Sequence, residues 1–82
     1  SYQHLLSTEE IKLDIEVFDY AEINAILISI EGMMVNEFNT KRLFNGIHSL
    51  HFPVRNLQSG IYILLLKTKN TRKALKLHIL NQ

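Results

Sequence analysis

Residues 11–17 read Ile-Lys-Leu-Asp-Ile-Glu-Val and alternate apolar and polar without a break. Ile11, Leu13, Ile15 and Val17 share one side of an extended chain, and Lys12, Asp14 and Glu16 share the other. A period of two over this length demands a half-buried strand, because a helical period would scatter both sets. Residues 26–30 are short, β-branched and mostly apolar, which predicts a buried strand. Glu31-Gly32 ends it, with Gly32 expected at positive φ, and residues 33–38 return as the second arm of a hairpin. Residues 47–54 form the next expected strand, with His48, Leu50 and Phe52 on one face. Pro53 lacks a ladder donor, so it marks an edge or an end. Residues 61–67 are the most apolar stretch, residues 69–72 a polar hairpin loop, and residues 73–80 put Leu75, Leu77 and Ile79 on one face. Residues 19–24 read as a turn, and residues 39–46 as a polar connection closed by Asn45-Gly46. A further strand fits near residues 3–7. Ser7-Thr8-Glu9-Glu10 has the character of a helix start, but it runs straight into the alternating strand, so no helix is expected.

Short strands joined by turns leave no room for the long crossovers that parallel neighbours need, so the pairing should be mainly antiparallel. Two layers are the economical way to bury one apolar face per strand. The expected fold is all-β: an immunoglobulin-like antiparallel β-sandwich of six to seven strands, with a small barrel as the alternative. A chain of 82 residues supports one domain over residues 1–82, with stability of about 4–12 kcal/mol. At 46% hydrophobic and 21% charged, the composition excludes a disordered tail. No apolar run approaches the roughly 18 residues of a membrane helix, and the first residues show no signal-peptide pattern. The absence of cysteine excludes a disulfide scaffold, thiol chemistry and cysteine-bound zinc.

Net charge is +1, but the charges are segregated. All eight acids lie within residues 1–40 beside a single base, Lys12, a net of −7. The other eight bases lie within residues 41–82 with no acid among them, a net of +8. One reading is self-complementation, with early strands beside late ones. The other is a basic face presented to an acidic partner or a membrane surface. Nucleic acid is not expected, because the basic half lacks interleaved aromatics and glycine-rich loops.

No catalytic constellation emerges. His48 and His51 are three apart on a strand and point to opposite faces, so they cannot chelate one metal together. His4 and His78 lie elsewhere. Ser29, Ser49 and Ser59 lack a nucleophile-elbow context, and Gly32, Gly46 and Gly60 serve separate turns rather than a phosphate loop. The chain is therefore expected to be no enzyme and to carry no metal or cofactor.

The informative motif is residues 57–68, of the form Leu-x-x-Gly-x-Tyr followed by an apolar strand. Leu57 should anchor the loop and Gly60 allow a tight entry, while Tyr62 buries its ring and sends its hydroxyl to a backbone acceptor. Ahead of it stand residues 26–30, then Glu31-Gly32-Met33-Met34-Val35, then Gly46-Ile47-His48-Ser49-Leu50; a lysine-containing strand follows it. This ordered set resembles the C-terminal sorting domain of proteins exported by the bacterial type IX secretion system. Gly32, Val35, Gly46, Leu57, Gly60 and Tyr62 match that family's pattern in order and spacing, and Lys73 and Lys76 fall at its terminal lysines. Ser29 stands where the family has an aspartate, and no Pro-Asn-Pro precedes the first strand.

The resemblance implies a protein address at the end of a larger secreted protein. It implies recognition by a translocon, an outer-membrane shuttle protein and a sortase. It also implies passage through the periplasm to the cell surface or the medium. In the family the final strands, here residues 60–80, matter most. With Tyr62, Leu64 and Leu66 facing the core, Ile61, Ile63 and Leu65 face outward, either as a docking stripe or covered as part of a central strand. An exposed edge near residues 73–80 could pair with a partner's strand, or in an edge-strand dimer, steered by Lys73 and Lys76. The residues expected to carry recognition are Gly60, Tyr62, Ile63, Leu65, Lys73, Lys76, Leu77 and Ile79, with Gly32, Gly46 and Leu57 shaping turns. The competing class is a non-catalytic immunoglobulin-like adhesion or ligand-binding module. It would need exposed aromatics, and most of the rings are expected in the core.

Overall fold

The computed structural model describes residues 2–6, 10–54 and 56–80, with side chains described from Glu10 onward. The fold is all-β, with six strands and no helix among the described residues: β1 (Tyr2–Leu6), β2 (Glu10–Ser29), β3 (Met34–Glu37), β4 (Lys41–Pro53), β5 (Gly60–Lys67) and β6 (Arg72–Leu80). Five lie side by side in the order β1-β6-β5-β2-β3, and β4 pairs with β2 off that path. The ladders of β2 with β3, β4 and β5, and of β5 with β6, are antiparallel. The β1–β6 ladder is parallel, Tyr2 opposite Lys76 through Leu6 opposite Leu80. This departs from an all-antiparallel expectation. Parallel strands need a long crossover, which neighbours in sequence lack; between β1 and β6 the crossover is nearly the whole chain.

Two expected turns are absent. Residues 19–24 do not turn: they are the middle of β2, which joins the strands read at 11–17 and 26–30 into one strand of 20 residues. Residues 41–46 are not a connection but the start of β4. The pairs Tyr20–Phe44, Ala21–Leu43, Glu22–Arg42 and Ile23–Lys41 hold both segments extended. The polar residues are absorbed by a bulge rather than a turn. Between the Val17–Gly46 and Tyr20–Phe44 pairs, Phe18 and Asp19 of β2 stand against Asn45 alone. Gly46, beside it, has φ of 132°, a conformation that other residues rarely adopt. Asn45-Gly46 is thus bulge chemistry where the dipeptide suggested a reversal.

β2, β3 and β4 form one long hairpin whose far arm is briefly interrupted at residues 38–40. Fully extended, β2 alone would span about 66 Å at roughly 3.3 Å per residue. The longest dimension of the molecule is 39 Å. The ribbon must therefore bend, and a bulge is where a strand bends most readily. Bending returns the end of β4 to β3: Asn36 Nδ2 donates to Pro53 O at 3.2 Å, and the Phe38 and Phe52 rings meet edge to face at 5.0 Å. The inward residues of the ribbon, Ile11, Ile23, Leu50 and Phe52, then share one core with Ala25, Leu27, Leu64, Leu77 and Ile79. Among the described residues this core holds no buried polar or charged residue.

Two local devices shape the ends of the strands. At the β2–β3 reversal, Ser29 N donates to Met33 O and Gly32 N to Ser29 O, at 2.8 and 2.9 Å. Ser29 Oγ accepts from Met33 N at 3.2 Å, so its hydroxyl does what an aspartate at this position could do. Gly32 sits at φ of 92°, as expected. Ahead of β5, the Tyr62 ring is buried and its hydroxyl donates to Gln58 O at 2.7 Å, while Leu57 packs on the core. The expected corner is therefore formed.

Phe52→Ala should cost about 3–5 kcal/mol in urea unfolding, a large share of the total; a loss below about 1 kcal/mol would contradict its place at the centre. Tyr62→Phe should cost about 0.5–1.5 kcal/mol by removing one hydrogen bond. Gly32→Ala should cost about 1–2 kcal/mol through backbone conformation alone, since open space surrounds the added methyl.

Candidate functional site

The sheet has two faces. On β5 the inward residues Tyr62, Leu64 and Leu66 are buried, and Ile61, Ile63 and Leu65 point outward and are half-buried. The register extends this row sideways. Ile63 lies between Ile28 of β2 and Lys76 of β6; Leu65 lies between Ile26 and Ala74. Ile26 and Ile28 are also half-buried, and Lys76 and Ala74 are exposed. The result is an aliphatic strip across three strands, partly open to water and edged by an ammonium group. β5 is indeed a central strand, yet nothing in the described chain seals its outer face.

The expected recognition residues divide into two sets. Ile63, Leu65 and Lys76 come together on this outer face. Tyr62, Leu77 and Ile79 are buried in the core and cannot touch a partner in the folded domain. Gly60 opens β5 beside the Tyr62 ring, and Lys73 is exposed opposite Leu66 near the β5–β6 turn. Ile26 and Ile28 were not singled out in the sequence. The available signal was that residues 26–28 and 61–66 are apolar at every position, so neither strand has a polar face to give to water.

The edge expected near residues 73–80 is not free. β6 is flanked by β5 on one side and by β1 over Lys76–Leu80 on the other. The outward β1 edge, rather than β6, ends the sheet.

Charge segregation is only slightly relieved by the fold. Arg42 Nε lies 3.6 Å from Glu22 Oε2, and His51 Nδ1 lies 3.2 Å from Glu10 Oε1, across the β2–β4 ladder. Lys41 Nζ stands 5.9 Å from the centre of the Phe52 ring. Among the described residues, no acid lies within ion-pair distance of Lys67, Lys69, Arg72, Lys73 or Lys76. Lys67 even lies directly opposite Arg72, an unfavourable like-charge pair. The hairpin formed by β5 and β6 is a solvated basic tip.

The described histidines and serines do not assemble, and His4 lies outside the described side chains. His48 Nε2 donates to Phe44 O at 2.7 Å, and Ser49 Oγ donates to Asp14 Oδ1 at 2.6 Å. Among the described residues no three His, Asp or Glu side chains converge as metal ligands. The aromatic rings depart from expectation: Phe18, Tyr20 and Phe44 are exposed on the β2–β4 ribbon rather than buried. Tyr20 donates to Glu22 Oε2 at 3.0 Å. Desolvation by neighbouring groups, then the Glu22 carboxylate, raises its hydroxyl above the usual tyrosine range.

Neither a curated protein nor a solved structure matches the chain. A family model does: the secretion system C-terminal sorting domain, over residues 7–80, which spans β2 through β6 and leaves β1 outside. That span contains every residue of the ordered motif set, from Gly32 and Val35 through Gly46 and Leu57 to Gly60 and Tyr62. The chain belongs to the C-terminal sorting domains of type IX secretion, the signals that send proteins through the outer membrane to the cell surface or beyond.

Proposed function

We propose that this domain is read by the secretion machinery through the outer face of β2, β5 and β6. The observation that supports this reading is the aliphatic strip of Ile26, Ile28, Ile61, Ile63 and Leu65, half-open to water beside Lys76. The domain acts as a recognised substrate and performs no chemistry itself. It forms the C-terminal unit of a larger cargo, passes through the periplasm, and is handed from translocon to shuttle protein to sortase. The fold reads most economically as an immunoglobulin-like sandwich, with the bent ribbon as the second layer. Edge pairing, with a partner strand or a second copy, would use the outer edge of β1 or require β1 to leave β6.

A second reading, an adhesion or ligand-binding module, has one observation in its favour. Phe18, Tyr20 and Phe44 are exposed, so rings are available for contact after all.

The test is a fluorescent reporter with a signal peptide in front and these 82 residues behind, expressed in a host with an active type IX system. The full domain should bring the reporter to the surface. Removal of residues 60–82 should trap it in the periplasm. Periplasmic retention of both, with the full domain folded by circular dichroism, would contradict the sorting reading and favour the adhesion module.

A further inference from the structure

The β2–β4 ribbon carries an anomaly that neither the core nor the outer face of β5 uses. Around the bulge, four large apolar side chains stand in water: Phe18 is 84% exposed, Ile47 79%, Phe44 70% and Tyr20 46%. They are neighbours. Tyr20 and Phe44 are directly opposite across the ladder, with ring centres 5.2 Å apart. Ile47 lies opposite Glu16, and Phe18 rises from the bulge between the two pairs. Phe18 and Tyr20 also help to line a cleft of about 900 Å³ between this part of β2 and the turn at residues 68–71. Scattered single apolar residues need no explanation, but a contiguous group on so small a domain marks an interaction surface.

The rim of the patch identifies the chemistry of its partner. Asp14, Glu16 and Glu22 alternate with Phe18 and Tyr20 along β2, Asp19 follows Phe18 in the bulge, and all four are exposed. Of the neighbouring bases, Arg42 already lies against Glu22, and Lys69 stands across the cleft in the turn at residues 68–71. Glu16 and Asp19 have no cation within ion-pair distance among the described residues. Exposed rings framed by carboxylates favour long side chains with an apolar stem and a positive head. The ring faces attract the cation, the stem covers the aliphatic surface, and the carboxylates pair with the head group. The same rim repels acidic segments and anionic lipid.

We propose that this face of the β2–β4 ribbon docks a cationic protein segment, whose arginine or lysine side chains lie across Phe18, Tyr20 and Phe44 and pair with Glu16 and Asp19. None of the residues of this surface belongs to the strip of Ile63 and Leu65. The proposal does not rest on the sorting reading, and either can fail alone. Among the described residues the hairpin with Lys67 and Arg72 is basic, which makes a second copy the competing occupant.

The experiment is an NMR titration of the isotope-labelled 82-residue chain with a hexapeptide alternating arginine and glycine. The control peptide has citrulline in place of arginine. Amide shifts should be confined to residues 14–22 and 42–49, and the citrulline peptide should produce none. Phe44→Ser combined with Ile47→Ser should weaken binding about tenfold, as loss of a central anchor does. These two side chains are exposed, so the variant should keep its fold, checked by its own spectrum. Salt at about 1 M, where the screening length is about 3 Å, should also weaken it. Equal binding of the citrulline peptide would overturn the proposal, as would shifts elsewhere or none at millimolar peptide. So would concentration-dependent sedimentation of the free chain that the double variant abolishes, since the occupant would then be a second copy.

Discussion

The backbone pairing of β2 is the constraint on which everything else depends. Over Asn24–Ser29 it bonds to β5, and over part of the same stretch to β3; over Glu10–Ile23 it bonds to β4. Both halves send their odd-numbered residues inward, so one strand supplies Ile11, Ile23, Ala25 and Leu27 to the single core. A strand this long cannot remain straight in a molecule of this size, and the bulge at Phe18 and Asp19 reconciles the two. The ribbon can then cover the inner face of β5 and β6, which isolated pairs of strands could not do stably in water. Long-range pairing of this kind also makes the fold depend on the whole chain, because β1 and β5 hold β6 from opposite ends of the sequence.

Much of this was legible in the residues. The alternation from Ile11 to Val17, the inward row of Leu75, Leu77 and Ile79, the positive φ at Gly32 and the hydroxyl bond of Tyr62 all follow from local rules that the tertiary structure leaves intact. Residues 19–24 were misleading because a polar run suggests a turn, whereas an exposed ribbon also tolerates polar residues on its water-facing side. Asn45-Gly46 misled for a related reason, since a bulge and a tight reversal both favour glycine. The parallel β1–β6 pair is not inferable from local pattern, as its partners lie at opposite ends of the chain. The candidate site was half visible. Ile63, Leu65 and Lys76 follow from strand parity, but Ile26 and Ile28 join them only through the register. Leu77 and Ile79 belong to the other face.

The division of labour between the faces accounts for the family's motif. Leu57, Gly60 and Tyr62 build a corner that starts β5 in a fixed position, and Gly32 with Ser29 closes the reversal that sets β2 beside it. Neither device needs to touch a partner. Together they place the aliphatic strip and Lys76 side by side on one face of the sheet, so the proposed docking surface would need little ordering on contact. The unneutralised bases of the β5–β6 hairpin sit at one end of that face, where they can steer an acidic partner without adding much to affinity. The acids and exposed rings of the ribbon share a cleft with the turn of that hairpin, Lys69 included. The segregated charges of the sequence thus become two surfaces of opposite character.

The claim that export is read from the outer face is tested most directly by changing that face alone. Ile63→Ser with Lys76→Ser removes the centre of the strip and its flanking charge and leaves the core residues in place. Export of the reporter should be measured beside the unfolding temperature of the same purified variant. The variant should fold cooperatively, with its melting point lowered by no more than about 10 °C, and the reporter should stay in the periplasm. Surface delivery at the level of the unaltered domain, by a variant shown to be folded, would contradict that claim.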